Sequence, residues 1–119
     1  MKLIGRNSSS GFLIVASMVC SVTVAQQNDQ AVFSSEQVAL GNALYQENCA
    51  SCHLPSLQGA FEAPALIGSN FVNNWGNSPV LSLLTLVKQT MPITAPASLS
   101  DSQYSDIVAF ILERNAVAP

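Results

Sequence analysis

Apolar residues fall at helical spacing in three segments of this chain, each with its own start or stop signal. The first signal is a capping box, Ser34 with Gln37 three residues later, which predicts that a helix begins there. Small and apolar side chains then follow at helical spacing until the chain reaches Cys49: Val38, Gly41, Leu44 and Tyr45. The pattern predicts one helix that runs directly into Cys49.

The second segment begins at Ser78-Pro79, where the serine is expected to cap a helix and the proline to occupy its first position. Its apolar residues form a broad face: Leu81, Leu83, Leu84 and Val87. Because a residue before proline is disfavoured in the helical region, Pro92 should end this helix near Thr90.

The third segment begins at Leu99-Ser100 with another capping box, formed by Ser100 and Gln103. An amphipathic stripe follows: Tyr104, Ile107, Val108, Ile111 and Leu112. Between the first two segments, residues 55–77 carry three glycines and two prolines, which predicts a loop with room for one short turn of helix. Since no alternating strand pattern or internal repeat is present, the sequence predicts an all-α domain with long loops.

The N-terminal residues have a different character. A basic start with Lys2 and Arg6 precedes an uncharged, mostly apolar run of 15 residues, 11–25, and a polar segment follows. We expect residues 1–25 to be a cleaved secretory signal, 26–33 a polar lead and 34–119 the folded domain. The alternative is an uncleaved leader that anchors the chain to the membrane. We expect no membrane span in the mature chain.

Removal of this leader changes the composition. The remaining 94 residues hold two basic residues, Lys88 and Arg114, against seven acids, a net charge of −5. Such a chain has no positive surface for nucleic acid, so that class of partner is excluded. Three cysteines in the whole chain are too few for a disulfide-rich scaffold. A 94-residue mature chain with long loops also has a thin core, which suggests that another group fills it.

The sequence Cys49-Ala-Ser-Cys52-His53 has the pattern C-x-x-C-H, which is typical of covalent c-type haem attachment. Two thiols at this spacing near a helix end can each bond one vinyl group, and the adjacent histidine then ligates the iron. A thioredoxin-like site would follow a strand, a structural cysteine pair would not need the histidine, and zinc would need two further ligands. We predict one covalent haem c per chain, held by Cys49 and Cys52 with His53 as an axial ligand.

Met91 is the candidate for the sixth iron ligand. After removal of the leader, no other methionine and no second histidine remains. Met91 precedes Pro92, where the second helix is forced to end, and this position presents its side chain to a cofactor. The alternative is an ordinary core methionine. With His53 and Met91 both bound, the iron is closed and suited to electron transfer, whereas an open iron could support peroxidase or gas-binding chemistry.

With these features the chain, from Ser34 to about Ala116, resembles the class I monohaem cytochromes c. The resemblance implies three to four helices and long loops wrapped around one covalent haem. It also implies that the first and last helices cross at four residues: Gly41, Tyr45, Ile107 and Phe110.

A second segment carries the resemblance further. Pro64-Ala-Leu66-Ile-Gly68 is similar to the family's P-x-L-x-G segment. The resemblance implies that the Pro64 carbonyl accepts a hydrogen bond from His53 and that Leu66 packs on the macrocycle. Trp75 occupies a region where an indole N–H often bonds a haem propionate, although simple core burial explains this tryptophan equally well.

Residues 90–101 and 106–112 are similar to cytochromes that work with quinoprotein (pyrroloquinoline quinone) alcohol dehydrogenases, as fused domains or as separate carriers. This resemblance implies a monomeric periplasmic one-electron carrier rather than an enzyme. Its donor would be a dehydrogenase or quinol-oxidising complex and its acceptor a terminal oxidase. The alternative is a permanently docked haem subunit of a larger dehydrogenase or oxidase. Because the lysine-rich docking face of many carriers is missing, we expect docking through an uncharged or apolar patch.

Overall fold

The structure, a computed structural model, describes residues 33–115. The predicted leader, residues 26–32 of the polar lead and residues 116–119 lie outside this range. Within it the chain forms five helices and no strand: α1 (Ser35–Asn48), α2 (Ala50–His53), α3 (Ser69–Trp75), α4 (Val80–Thr90) and α5 (Asp101–Arg114). The predicted all-α class is therefore confirmed.

Both predicted capping boxes are present. The Ser34 hydroxyl accepts from the Gln37 N–H at 3.2 Å, and the Gln37 side chain accepts from the Ser34 N–H at 3.0 Å. The Ser100 hydroxyl likewise accepts from the Gln103 N–H at 3.3 Å, and the Gln103 side chain accepts from the Ser100 N–H at 2.9 Å. These bonds satisfy backbone N–H groups that the first turn of a helix leaves unpaired, so α1 and α5 begin as predicted.

The start of α4 differs from the prediction. Pro79 occupies the N-cap position, and no side chain caps this helix. The Ser78 hydroxyl instead donates to the carbonyl of Asn74, in α3, at 3.4 Å. The prediction that Ser78 caps α4 is therefore wrong, because α3 ends close enough to take its hydroxyl. The helix does end at Thr90, and Met91 is extended, with φ −126° and ψ 152°.

The segment predicted as a loop between residues 55 and 77 contains α3, which has seven residues and is longer than a single turn. This helix has no side-chain cap, and its N-cap residue, Gly68, has a φ of 88°. Phe71 is buried and Trp75 is partly buried, one turn apart on the same helix. Burial of this apolar edge, rather than a local start signal, accounts for the helix.

The core is built around the crossing of α1 and α5. The rings of Tyr45 and Phe110 pack with centroids 5.3 Å apart and planes tilted by 50°. Gly41 lies against the backbone of Asp106 so closely that a Cβ at this position would overlap it. All five residues of the predicted stripe on α5 are buried, and Phe33, at the end of the predicted polar lead, is buried as well. The core therefore includes one side chain that the sequence assigned to the lead.

Candidate haem-binding site

The cysteine–histidine segment begins where α1 ends. The backbone N–H of Cys49 still bonds the Tyr45 carbonyl at 2.9 Å, and α2 then turns the chain so that the His53 N–H bonds the Cys49 carbonyl at 2.9 Å. Cys49 is partly buried, Cys52 is exposed, and His53 is only 7% exposed. A single helical turn therefore places two thiols at an opening to solvent and the imidazole in the interior.

The histidine ring is held by a backbone carbonyl. His53 Nδ1 lies 2.9 Å from the carbonyl oxygen of Pro64. Because a carbonyl oxygen only accepts hydrogen bonds, this contact assigns the ring proton to Nδ1 and leaves a free lone pair on Nε2. A histidine in this tautomer is ready to bind a metal through Nε2.

The loop that brings Pro64 to the histidine is fixed by backbone hydrogen bonds. The Gly59 N–H donates to the His53 carbonyl at 3.0 Å, and the Leu66 N–H donates to the Leu57 carbonyl at 2.8 Å. Gly59 has a φ of 72°, and a Cβ there would overlap the backbone of the returning segment. Glycine is therefore required at this turn, which places Pro64 and Leu66 on the same side of the loop as His53.

Met91 reaches the site from the end of α4. Its N–H bonds the Val87 carbonyl at 2.8 Å, which continues the α4 pattern for one residue beyond the helix. Its carbonyl accepts from the hydroxyl of Tyr104 at 2.8 Å, and its side chain is partly buried. Two hydrogen bonds thus fix the Met91 backbone, one to the end of α4 and one from a buried residue of α5.

These parts enclose a cavity of about 780 Å³. Seven residues predicted for the site line it: Cys49, Cys52, His53, Pro64, Leu66, Trp75 and Met91. The volume lies within the range of roughly 300–1,000 Å³ found for small-molecule and cofactor sites. Two thiols at the opening, an imidazole with a free nitrogen, a thioether and apolar walls are the groups that a covalent haem needs, so the residues present fit this cofactor.

Of the other predicted residues, three are not part of the cavity lining and one is. Gly41, Tyr45 and Phe110 lie at the α1–α5 crossing, whereas Ile107 is 1% exposed and also lines the cavity. Several further residues line the cavity that the sequence did not indicate as site residues, namely Phe71, Leu83, Val87 and Ile111. The sequence indicated the apolar faces of α4 and α5. It did not indicate which of their side chains line the cavity and which pack only against another helix.

The cavity has an uncharged lining. None of its lining residues in the described part of the chain is Asp, Glu, Lys or Arg. Burial, followed by the charge of the nearby Cys52 thiolate, raises the pKa of the Cys49 thiol to about 11. The unattached Cys49 is therefore a neutral thiol at neutral pH. Within residues 33–115 we find no helix with the length and apolarity needed to cross a bilayer.

Comparisons with known proteins point to a family for this chain. Residues 36–111 match the family model described as cytochrome c oxidase, cbb3-type, subunit III. No curated protein matches the chain. Among solved structures, the chain is similar to one from the sulfane dehydrogenase SoxCD of Paracoccus pantotrophus, with 27% identity and a TM-score of 0.58. That match covers 69% of this chain and 45% of the other, so the chain spans less than half of the SoxCD chain.

The family match covers the cysteine–histidine segment, the loop with Pro64 and the segment with Met91. The SoxCD similarity supports the same fold independently. The chain belongs to the family described as cytochrome c oxidase, cbb3-type, subunit III, and is a class I cytochrome c, a haem c protein of electron transfer.

Proposed function

We propose that this chain is an exported one-electron carrier with one covalent haem c. Cys49 and Cys52 attach the cofactor, and His53 and Met91 ligate its iron. The observation that supports this proposal most directly is that these four side chains line one cavity. Pro64, Leu66 and Trp75 line the same cavity and complete the pocket.

When bound, a haem c supplies an iron that accepts and releases one electron. His53 offers its Nε2 lone pair, while the Pro64 carbonyl holds the Nδ1 proton and so fixes the ring orientation. Met91 offers a soft thioether sulfur, which favours a raised reduction potential. The apolar side chains of the lining lower the local polarity, and this would also favour the less charged, reduced state.

The surroundings of the opening support docking without charge steering. Leu86 and Ile93 line the cavity and are 46% and 74% exposed. Lys88, one of two cations in the described part of the chain, forms an ion pair with Asp101. We propose that the redox partners dock on the uncharged rim of the opening, which includes Leu86 and Ile93. These partners would be a dehydrogenase or quinol-oxidising complex and a terminal oxidase. The similarity to carriers of quinoprotein alcohol dehydrogenases makes such an enzyme a candidate donor.

The predicted leader, residues 1–25, supports export to the periplasm, the compartment in which we propose that a monomeric carrier acts. N-terminal sequencing of the exported protein tests this part of the proposal. A first residue at Gln26 would support it, whereas Met1 on a membrane-bound protein would favour the anchored alternative.

The ligand set is tested by Met91→Leu, which keeps the apolar volume and removes the sulfur. We expect this variant to keep its covalent haem but lose the weak long-wavelength band of methionine bound to ferric haem. Its reduced form should bind carbon monoxide at once, whereas the reduced wild type should not. Leu86→Ala, a change at the cavity rim, is the matched control and should retain the band. A wild type that binds carbon monoxide immediately would favour the open-iron alternative.

A second candidate function is a haem subunit docked permanently in a larger complex. The family description includes the words "subunit III", and the similar structure is that of SoxCD, a sulfane dehydrogenase. Size-exclusion chromatography of native extract, followed at the haem absorbance, separates the two candidates. A free carrier elutes near its own mass, and a docked subunit elutes with its complex.

A further inference from the structure

We propose that Tyr104 is a positioning residue for Met91, because its hydroxyl closes the loop that carries the methionine and so keeps the sulfur in the site. This inference rests on the proposed ligation by Met91. It adds a residue of α5 that is not among the residues lining the cavity and that bonds the backbone carbonyl of Met91.

Tyr104 lies in the first turn of α5 and is 1% exposed. Its hydroxyl donates to the Met91 carbonyl at 2.8 Å and accepts from the Leu99 N–H at 3.5 Å. A hydroxyl has one hydrogen and two lone pairs, so both contacts can exist at once. One buried oxygen thus joins the first and last parts of the connection between α4 and α5.

Two other contacts that hold this connection are at the surface. Residues 93–98 are all exposed, and Ala97 has a φ of 59°. The Ala97 N–H bonds the Lys88 carbonyl at 3.0 Å, and the Lys88–Asp101 ion pair is exposed. Exposed ion pairs contribute little to stability, whereas a buried hydroxyl that loses its partner carries a full desolvation cost. Among these contacts, the Tyr104 hydroxyl is therefore the one that best resists opening of the loop.

Opening matters because an added ligand reaches the iron only after Met91 has left. The apparent affinity for such a ligand is its intrinsic affinity multiplied by the fraction of open molecules. A contact that favours the closed loop lowers this fraction without touching the iron. Loss of the hydroxyl should therefore be visible as tighter binding of an exogenous ligand.

Tyr104→Phe tests the inference, since it keeps the ring and its packing and removes only the hydroxyl. The readouts are the affinity of the oxidised holoprotein for imidazole and the temperature at which the methionine–iron band disappears. We expect imidazole to bind about tenfold more tightly than in wild type, which corresponds to about 1.4 kcal/mol. We also expect the band to disappear well below the temperature of global unfolding.

Tyr45→Phe is the matched control. Tyr45 is also fully buried, and its hydroxyl donates to the Leu54 carbonyl at the same distance of 2.8 Å, with no link to Met91. This control should lower the unfolding temperature while its imidazole affinity stays within about twofold of wild type. The inference is overturned if Tyr104→Phe binds imidazole as wild type does, or if Tyr45→Phe tightens binding equally.

A measurement on the wild type keeps the test independent of whether either variant folds. In nuclear magnetic resonance spectra of the reduced holoprotein, the Tyr104 hydroxyl proton should exchange slowly and show a cross-peak to the Leu99 amide. A rapidly exchanging hydroxyl would overturn the inference. If the wild type itself lacks the methionine–iron band, the proposed ligation by Met91 fails, and the two failures are thus distinguishable.

Discussion

Gly41 lies where α1 crosses α5, and replacing it with alanine adds one methyl group at the closest approach of the two helices. A Cβ at this position would lie 2.5 Å from the carbonyl carbon of Asp106 and 3.0 Å from the Cβ of Phe110, with the Asp106 oxygen closer still. These atoms belong to the α5 backbone or are fixed directly to it, so they cannot rotate away. The two helices must therefore separate.

Two opposing effects decide the size of the change. Overpacking a close-packed interface costs about 1–3 kcal/mol, and a clash with backbone belongs at the upper end of that range. Alanine in a helix interior gains about 1 kcal/mol over glycine. Because the contact between Tyr45 and Phe110 is also disturbed, we expect Gly41→Ala to lower the free energy of unfolding by about 2 kcal/mol.

Denaturant unfolding of the holoprotein, followed by far-ultraviolet circular dichroism, measures this change. The midpoint should fall while the slope stays constant. Ala39→Gly, at an exposed position of the same helix, is the control and should cost about 1 kcal/mol through helix propensity alone. If Gly41→Ala is as stable as the wild type or more stable, the close crossing of α1 and α5 is refuted.

Three further predictions concern pH, loop anchoring and salt. Burial, followed by the charge of the Cys49 thiolate where this cysteine is unattached, raises the pKa of Tyr45 to about 12 from its ordinary value of 10.0. The protonated hydroxyl therefore stabilises the fold fully below pH 10.0, and this contribution is lost as the pH rises toward 12. Unfolding midpoints should fall more steeply over that interval in the wild type than in Tyr45→Phe, and equal slopes would count against it. Asn115→Ala removes side-chain bonds to the Leu66 carbonyl and the Gly68 N–H, at 2.8 Å and 3.0 Å, and should cost about 2 kcal/mol in thermal or denaturant unfolding. An unchanged stability would show that this anchor is dispensable. Electron-transfer rates with the redox partner should change less than about twofold between low and physiological salt, because the cavity lining is uncharged; a steep loss of rate on adding salt would contradict docking on the uncharged rim.

Local signals account for the parts of the fold that could be predicted. The Ser34 and Ser100 side chains bond backbone N–H groups at the starts of α1 and α5, and Pro92 disfavours a helical conformation of the residue before it. Each of these effects acts within a few residues and needs no tertiary contact. The cysteine–histidine spacing is equally local, so the sequence indicates a haem-attachment segment without knowledge of the fold.

The features that could not be predicted depend on distant residues. The helix α3 lacks a side-chain cap and follows Gly68, whose N–H is bonded by Asn115, 47 positions away. The Ser78 hydroxyl is a local exception, because it bonds the Asn74 carbonyl, four positions earlier in the chain, instead of capping α4. Tyr104 fits its helical stripe as an ordinary core residue, and only the three-dimensional path of the chain brings its hydroxyl to Met91. Periodicity predicts which face is buried but not which atoms meet there.

We propose that Cys49 and Cys52 bind one haem covalently in the cavity that His53 and Met91 also line. Mass spectrometry of the denatured protein, purified from cells that mature c-type cytochromes, tests it directly. We predict the mass of the chain plus one haem for the wild type, and the mass of the bare chain when both cysteines are replaced by alanine. A wild-type chain without added haem mass, or a double variant that retains it, would show that these two cysteines do not attach a haem.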